Sequence, residues 1–198
     1  MLSYRRCEIP GCSNPATAFR GRCYGHIEDK DPYGQEIREA LSRDSSFSNL
    51  VFFHLPLSDL DLRGKAFRGC GFSHGSFRNV DFSQALLRIC FFDFASFESC
   101  RALNAEMRNC VFTGSRMRSF DWEGSNLLQM NFNYIMCTGT RFNRSDLYNS
   151  RFIGSSLSDV TFIDCNLKNV DFRRSRREGV RFRYSNTGEA VFDDKDSP

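Results

Sequence analysis

From Phe47 to Phe172 an apolar residue stands at every fifth position, through twenty-six consecutive centres with no insertion, deletion or change of register. Fourteen of these centres are Phe, seven Leu and two Met, and Trp122, Ala102 and Cys137 complete the set. Two residues before each centre runs a second, mostly small series that includes Cys70, Val80, Ala85, Cys90, Cys100, Cys110, Ser145, Ser150 and Val170. Two inward positions two residues apart describe a short extended segment with both side chains on one face. The three remaining positions of each unit are mostly polar and must carry the chain around a corner. An α-helix needs apolar residues at three- and four-residue spacing, which a strict five cannot sustain.

If each unit makes a quarter turn, four units close one coil and residues twenty apart stack, the geometry of a β-solenoid. Phe52, Phe72, Phe92, Phe112, Phe132, Phe152, Phe172 and Phe192 are spaced by twenty and are all aromatic, as one column of a four-sided coil would be. Ala102 and Trp122 are neighbours in another column, so the smallest centre lies beside the largest, as jigsaw packing requires.

Segments such as Ser145-Asp146-Leu147-Tyr148-Asn149, Cys165-Asn166-Leu167-Lys168-Asn169, Val80-Asp81-Phe82-Ser83-Gln84 and Ser125-Asn126-Leu127-Leu128-Gln129 resemble the repeat of the pentapeptide repeat proteins, A-(D/N)-L-x-x with Leu or Phe at its centre. The resemblance covers about residues 45–194 and implies an all-β, right-handed quadrilateral β-helix; the handedness comes from the resemblance alone.

The ends of such a rod need closing. Asp31-Pro32 ahead of Tyr33–Leu41 reads as a short helix with Asp31 as N-cap and Pro32 at the first helical position. Ile37, Ala40 and Leu41 fall on one face of it, suited to covering the first coil near Phe47. Arg177 and Thr187 occupy centre positions, so the regular core is expected to fail there. The expected organisation is a knuckle at 1–30, a capping helix and linker at 31–44, the solenoid at 45–194 and a tail at 195–198.

Composition places no membrane in the picture: there is no apolar run of the eighteen or so residues needed to span a bilayer and no signal peptide, so a cytoplasmic address is expected. Six of the nine cysteines sit at inward positions and read as reduced core filler. Cys70, Cys90 and Cys110 are twenty apart, close enough for a bridge as the alternative.

The other three cysteines join a histidine. Cys7, Cys12, Cys23 and His26 form C-x4-C-x10-C-x2-H, two close ligand pairs suited to tetrahedral Zn²⁺. Four protein ligands mean a closed, structural site, and a segment this short has no core of its own without metal. The stretch Arg20-Gly21-Arg22-Cys23-Tyr24-Gly25-His26 also resembles compact bacterial and phage zinc knuckles. Arg5, Arg6, Arg20 and Arg22 around it would suit phosphate, although Glu8, Glu28 and Asp29 dilute the charge.

Two outward rows carry functional expectations. Val51, Phe53, Phe91, Phe94, Val111 and Tyr134 form an apolar face, expected to bind a protein partner, to form a homodimer contact, or to be covered by residues 1–44. Arg68, Arg88 and Arg108 form a ladder of like charge that favours an anion, unless the guanidinium groups fan into solvent or pair with Glu106. His54 and His74, twenty apart, are expected to stack at a corner, with no carboxylate or cysteine placed to complete a catalytic site. The expected function is therefore a non-catalytic interaction scaffold. The alternative is a nucleic-acid-associated factor working through the knuckle and the arginines. Some pentapeptide repeat proteins act as DNA mimics on type II topoisomerases, but residues 45–198 hold twenty Lys and Arg against seventeen Asp and Glu, the wrong balance for a mimic.

Overall fold

The computed structural model describes residues 4–193. The tail expected at 195–198, residue 194 of the expected solenoid and residues 1–3 of the knuckle lie outside the described residues. The repeat folds as an all-β parallel solenoid with four sides. Three-residue strands centred on Phe47, Phe67, Leu87, Met107 and Leu127 form a five-stranded parallel sheet on one side. Strands from Pro56–Ser58 to Arg176–Glu178 form a seven-stranded sheet on the opposite side. The other two sides are tied by single parallel bridges such as Phe91↔Val111 and Asp81↔Arg101. Every strand pairing and bridge among the described residues of the solenoid joins residues twenty apart, so the coil closes in four units as the periodicity predicts.

The corners follow from backbone sterics. From Asn49 to Tyr184, every second residue after a centre has positive φ. Asn, Asp and Gly tolerate that region best, and they fill many of these positions. Inside, the all-Phe column stacks face to face, with successive ring centroids 4.6–5.3 Å apart from Phe52 through Phe192. Trp122, one coil after Ala102, is fully buried and stacks on Phe120 with ring centroids 4.1 Å apart.

The small inward residues do more than fill space. The Oγ atoms of Ser145, Ser150 and Ser155 each donate 2.8 Å hydrogen bonds to the carbonyl oxygens of Trp122, Leu127 and Phe132 in the preceding coil. Cys70, Cys90 and Cys100 make the same bond with sulfur, at 3.5–3.6 Å, to Phe47, Phe67 and Phe77. All nine thiols are free, which settles the inward cysteines as core residues rather than bridges.

The first coil is closed by α1 (Lys30–Arg43), whose Tyr33, Ile37, Ala40 and Leu41 are buried in the same cluster as Phe47 and Phe52. The helix begins two residues earlier than the sequence suggests, with Asp29 at the cap and Asp31 inside the first turn. Pro32 is tolerated at the third helical position because the first four N–H groups of a helix have no intrahelical partner. Lys65, at a nominally inward position, instead reaches the carbonyls of Ser42 and Asp44 at 3.1 and 2.8 Å and neutralises the C-terminal end of α1. At the far end Arg177 replaces an apolar centre and lies over the Phe192 ring at 4.7 Å, and Thr187 begins a 3-10 turn instead of a strand.

Candidate functional site

The knuckle folds as a small hairpin, tied by Cys7 N–H to the Asn14 carbonyl and Ala16 N–H to the Arg5 carbonyl, followed by a 3-10 turn, Tyr24–His26. These two turns bring Cys7, Cys12, Cys23 and His26 together, with all four ligand atoms within 4.8 Å of one another. His26 Nδ1 lies 3.4 Å from both Cys7 Sγ and Cys23 Sγ, and Cys12 Sγ lies 3.8 Å from Cys23 Sγ. A tetrahedral zinc, with bonds of about 2.3 Å to sulfur and about 2.0 Å to nitrogen, would hold its ligands about 3.5–3.8 Å apart. The Cys7 thiol is brought down to about 6: burial pushes it up, but hydrogen bonds at the Cys23 and Ile9 backbone, His26 and Cys12 more than offset that. The residues therefore suit a thiolate-rich divalent metal site.

The knuckle docks on the first corner of the solenoid. Ala18 N–H and Thr17 Oγ1 both donate to the Val51 carbonyl, at 2.7 and 3.1 Å, and Tyr4 donates its hydroxyl to the Gly69 carbonyl at 3.2 Å. Val51, expected to face outward, is buried, because these contacts bring the knuckle onto that corner. Phe53 packs edge-on against Tyr4 with centroids 6.1 Å apart and is half-buried. The module thus takes one end of the apolar face. Phe91 and Val111 remain partly exposed beyond it, and Phe94 and Tyr134 are 60% and 59% exposed.

Between the knuckle and the solenoid lies a cleft of about 630 Å³. A ladder of parallel rings runs along it: Tyr24 on His54 at 6.3 Å, His54 on His74 at 4.9 Å and His74 on Phe94 at 5.3 Å. The histidines stack as their spacing predicts. Missing from the sequence reading is Asp93, which lines the same cleft and accepts a 3.4 Å hydrogen bond from Ser73 Oγ. The twenty-residue spacing of Ser73 and Asp93 was the available signal. Burial raises the Asp93 carboxyl above its ordinary range. Tyr24 also belongs to the site, and only the docking of the knuckle could reveal it.

The arginines divide into two groups. Arg5, Arg20 and Arg22 pair with Glu8, Glu36 and Glu28 within the N-terminal module. Arg68, Arg88 and Arg108 stand in register on adjacent strands, exposed, and among the described residues no carboxylate, Glu106 included, lies within ion-pairing distance of them. The acidic row Asp61, Asp81 and Asp121 is matched by Arg63, Arg101 and Arg141. No helix among the described residues is long and apolar enough to cross a membrane.

Comparison with known proteins bears on the solenoid. The chain is similar to full-length QnrB1, a plasmid-mediated fluoroquinolone resistance protein, at 19% identity over 76% of this chain and 85% of that one, with a TM-score of 0.36. It is also similar to HetL, a pentapeptide repeat protein involved in heterocyst differentiation regulation from the cyanobacterium Nostoc sp. strain PCC 7120, at 13% identity over 83% and 98% of the two chains, TM-score 0.30. No curated protein matches. The family model for pentapeptide repeats matches residues 75–114 and 137–174, in eight copies. The stretches before and between these matches are those where Leu50, Leu55 and Leu60, then Phe120, Met130 and Ile135, fill the usually small inward site, while the backbone keeps its register. The matched repeats and the flanking coils form one unbroken parallel ladder with a twenty-residue period, and within it residues 75–114 and 137–174 are similar to pentapeptide repeats.

Proposed function

We propose that this chain is a non-catalytic protein–protein interaction scaffold, binding a partner protein or a second copy of itself through Phe91, Phe94, Val111 and Tyr134, with Phe53 at the edge of that surface. One observation carries the reading: Phe94 and Tyr134 keep large rings mostly in solvent at corners with φ of 55° and 57°, where Asn or Gly would cost less. The Cys7, Cys12, Cys23 and His26 cluster would hold a structural Zn²⁺, whose part is to fix the knuckle against the first corner. Nine unpaired thiols support a reducing compartment, the cytoplasm.

The second reading, an anion or nucleic-acid surface, is favoured by the unpaired ladder Arg68, Arg88 and Arg108, whereas the pairing of Arg5, Arg20 and Arg22 counts against the knuckle as its seat. Pairing of the acidic row with arginines counts likewise against DNA mimicry. Affinity capture from cell extract at low and high salt, with the intact chain and a Phe91→Asp/Tyr134→Asp variant, tests the choice. A partner protein held in high salt and lost in the variant is the expected result; nucleic acid recovered at low salt alone, equally by both, would replace it with the anion reading.

A further inference from the structure

We infer that the cleft between the knuckle and the first three coils binds a guanidinium group, presented by an arginine of a partner peptide. The inference rests on the reading of this side of the rod as the working surface and names the chemistry at one end of it. Asp93 is the departure point. Asp61, Asp81, Asp121 and Asp171 on the outside of the coils each have an arginine within ion-pairing distance, whereas among the described residues Asp59, Asp159 and Asp164 lack one but are exposed, and Asp146 accepts a hydrogen bond from the Asn166 amide. Asp93 has none among the described residues, and its single side-chain hydrogen bond comes from the neutral Ser73 hydroxyl. A half-buried carboxylate without a cation is poorly placed unless something supplies one.

The walls of the cleft specify what that cation should look like. Tyr24, His54, His74 and Phe94 stack on one another, so that their aligned rims line the cleft as an apolar wall, and Phe53 stands opposite the knuckle's Tyr4. An apolar wall beside a carboxylate suits a weakly hydrated planar cation, which can lie against the wall while donating two parallel hydrogen bonds to the acid; a compact, strongly hydrated ammonium offers neither. Burial and the neighbouring His74 hold the His54 imidazole below its usual range, so the stack offers a neutral ring there. A cleft of about 630 Å³ exceeds a guanidinium, leaving room for the peptide that carries it, and Phe94 continues from the cleft onto the exposed apolar face.

The test is an NMR titration of the His54, His74 and Phe94 ring signals in the full chain with N-acetyl-arginine amide, at about pH 7.5, where histidines are largely neutral. The isosteric, uncharged citrulline amide is the control. Saturable shifts with the arginine probe, at least tenfold weaker with citrulline and in Asp93→Asn, are expected, with Asp93→Glu restoring part of the response. Phe94→Leu, which keeps an apolar residue but removes the last ring of the wall, should weaken binding without abolishing the charge preference. Equal response to citrulline, undiminished binding by a folded Asp93→Asn, or no saturable shift at all would overturn the inference. The Phe91→Asp/Tyr134→Asp variant lies outside the cleft and should keep arginine binding while losing partner capture. Loss of capture in that variant with no arginine binding in any form would leave the apolar face standing and remove the cleft.

Discussion

At the scale of single residues, the fold is governed by two demands per unit, an apolar centre and a corner residue with positive φ. The second demand can be isolated at Gly139, φ 60°, where an added Cβ would meet nothing nearer than Ser119 Oγ at 3.9 Å. Gly139→Ala should therefore lower the unfolding free energy by about 1–2 kcal/mol from backbone strain alone. Gly114→Ala should cost more, since its Cβ would come within 2.7 Å of the Phe94 ring. Conversely, Ile89 places a β-branched side chain at φ 54° while 43% exposed, and Ile89→Asn should stabilise by about 1 kcal/mol in urea unfolding. A destabilised Ile89→Asn would show that the side chain contributes packing that outweighs strain. Acid response also belongs to this scale. A hydrogen bond from Arg173 holds the Asp171 carboxyl below the usual carboxylate range. Its stabilisation is present above a pH of about 4 and is lost as pH falls through the lower folded value, so wild type should lose stability more steeply than Asp171→Asn between about pH 5 and 2.

At the scale of elements, the repeat was readable because each unit states its own inward positions, and the stacked Phe column, the Trp122–Ala102 neighbours and the histidine pair all emerge where spacing places them. Helix α1 was readable as a capping element through Ile37, Ala40 and Leu41, but its cap moved to Asp29 because the unbonded first turn makes Pro32 compatible with several starting registers. Lys65 could not be recognised as a helix partner, since nothing in its repeat unit announces that an inward slot has been given over to carbonyls of another element. The knuckle's four ligands were readable from spacing; its seat on Val51 was not, because docking depends on shape rather than on local pattern. Purified protein should contain about one zinc per chain by metal analysis. Cys12→Ser or His26→Ala should lower that content and loosen residues 4–30 while the solenoid's β signal persists; equal zinc in wild type and both variants would refute the ligand assignment.

At the scale of the whole molecule, one side of the rod carries the docked knuckle, the ring-lined cleft and the exposed aromatics in succession, while the arginine ladder stands on the neighbouring side. The succession was half visible beforehand: outward apolar residues could be sorted by the twenty-residue period, but which of them the knuckle covers required three dimensions. Val51 and Phe53 went under or beside it, and Phe94 and Tyr134 did not. Their rings instead lie over the next coil, close enough to Gly114 and Gly154 that a Cβ there would come within 2.7 and 2.6 Å. That contact gives the rings a modest structural role, so the decisive comparison is between their value to the fold and their value to binding. Urea unfolding of a Phe94→Asn/Tyr134→Asn chain measures it most directly. If the exposed rings are a binding surface held at strained corners, stability should be unchanged or higher by up to about 1 kcal/mol, with partner capture lost in the same protein. A loss of about 2 kcal/mol or more with capture intact would contradict that, and would make the rings part of the solenoid's own packing.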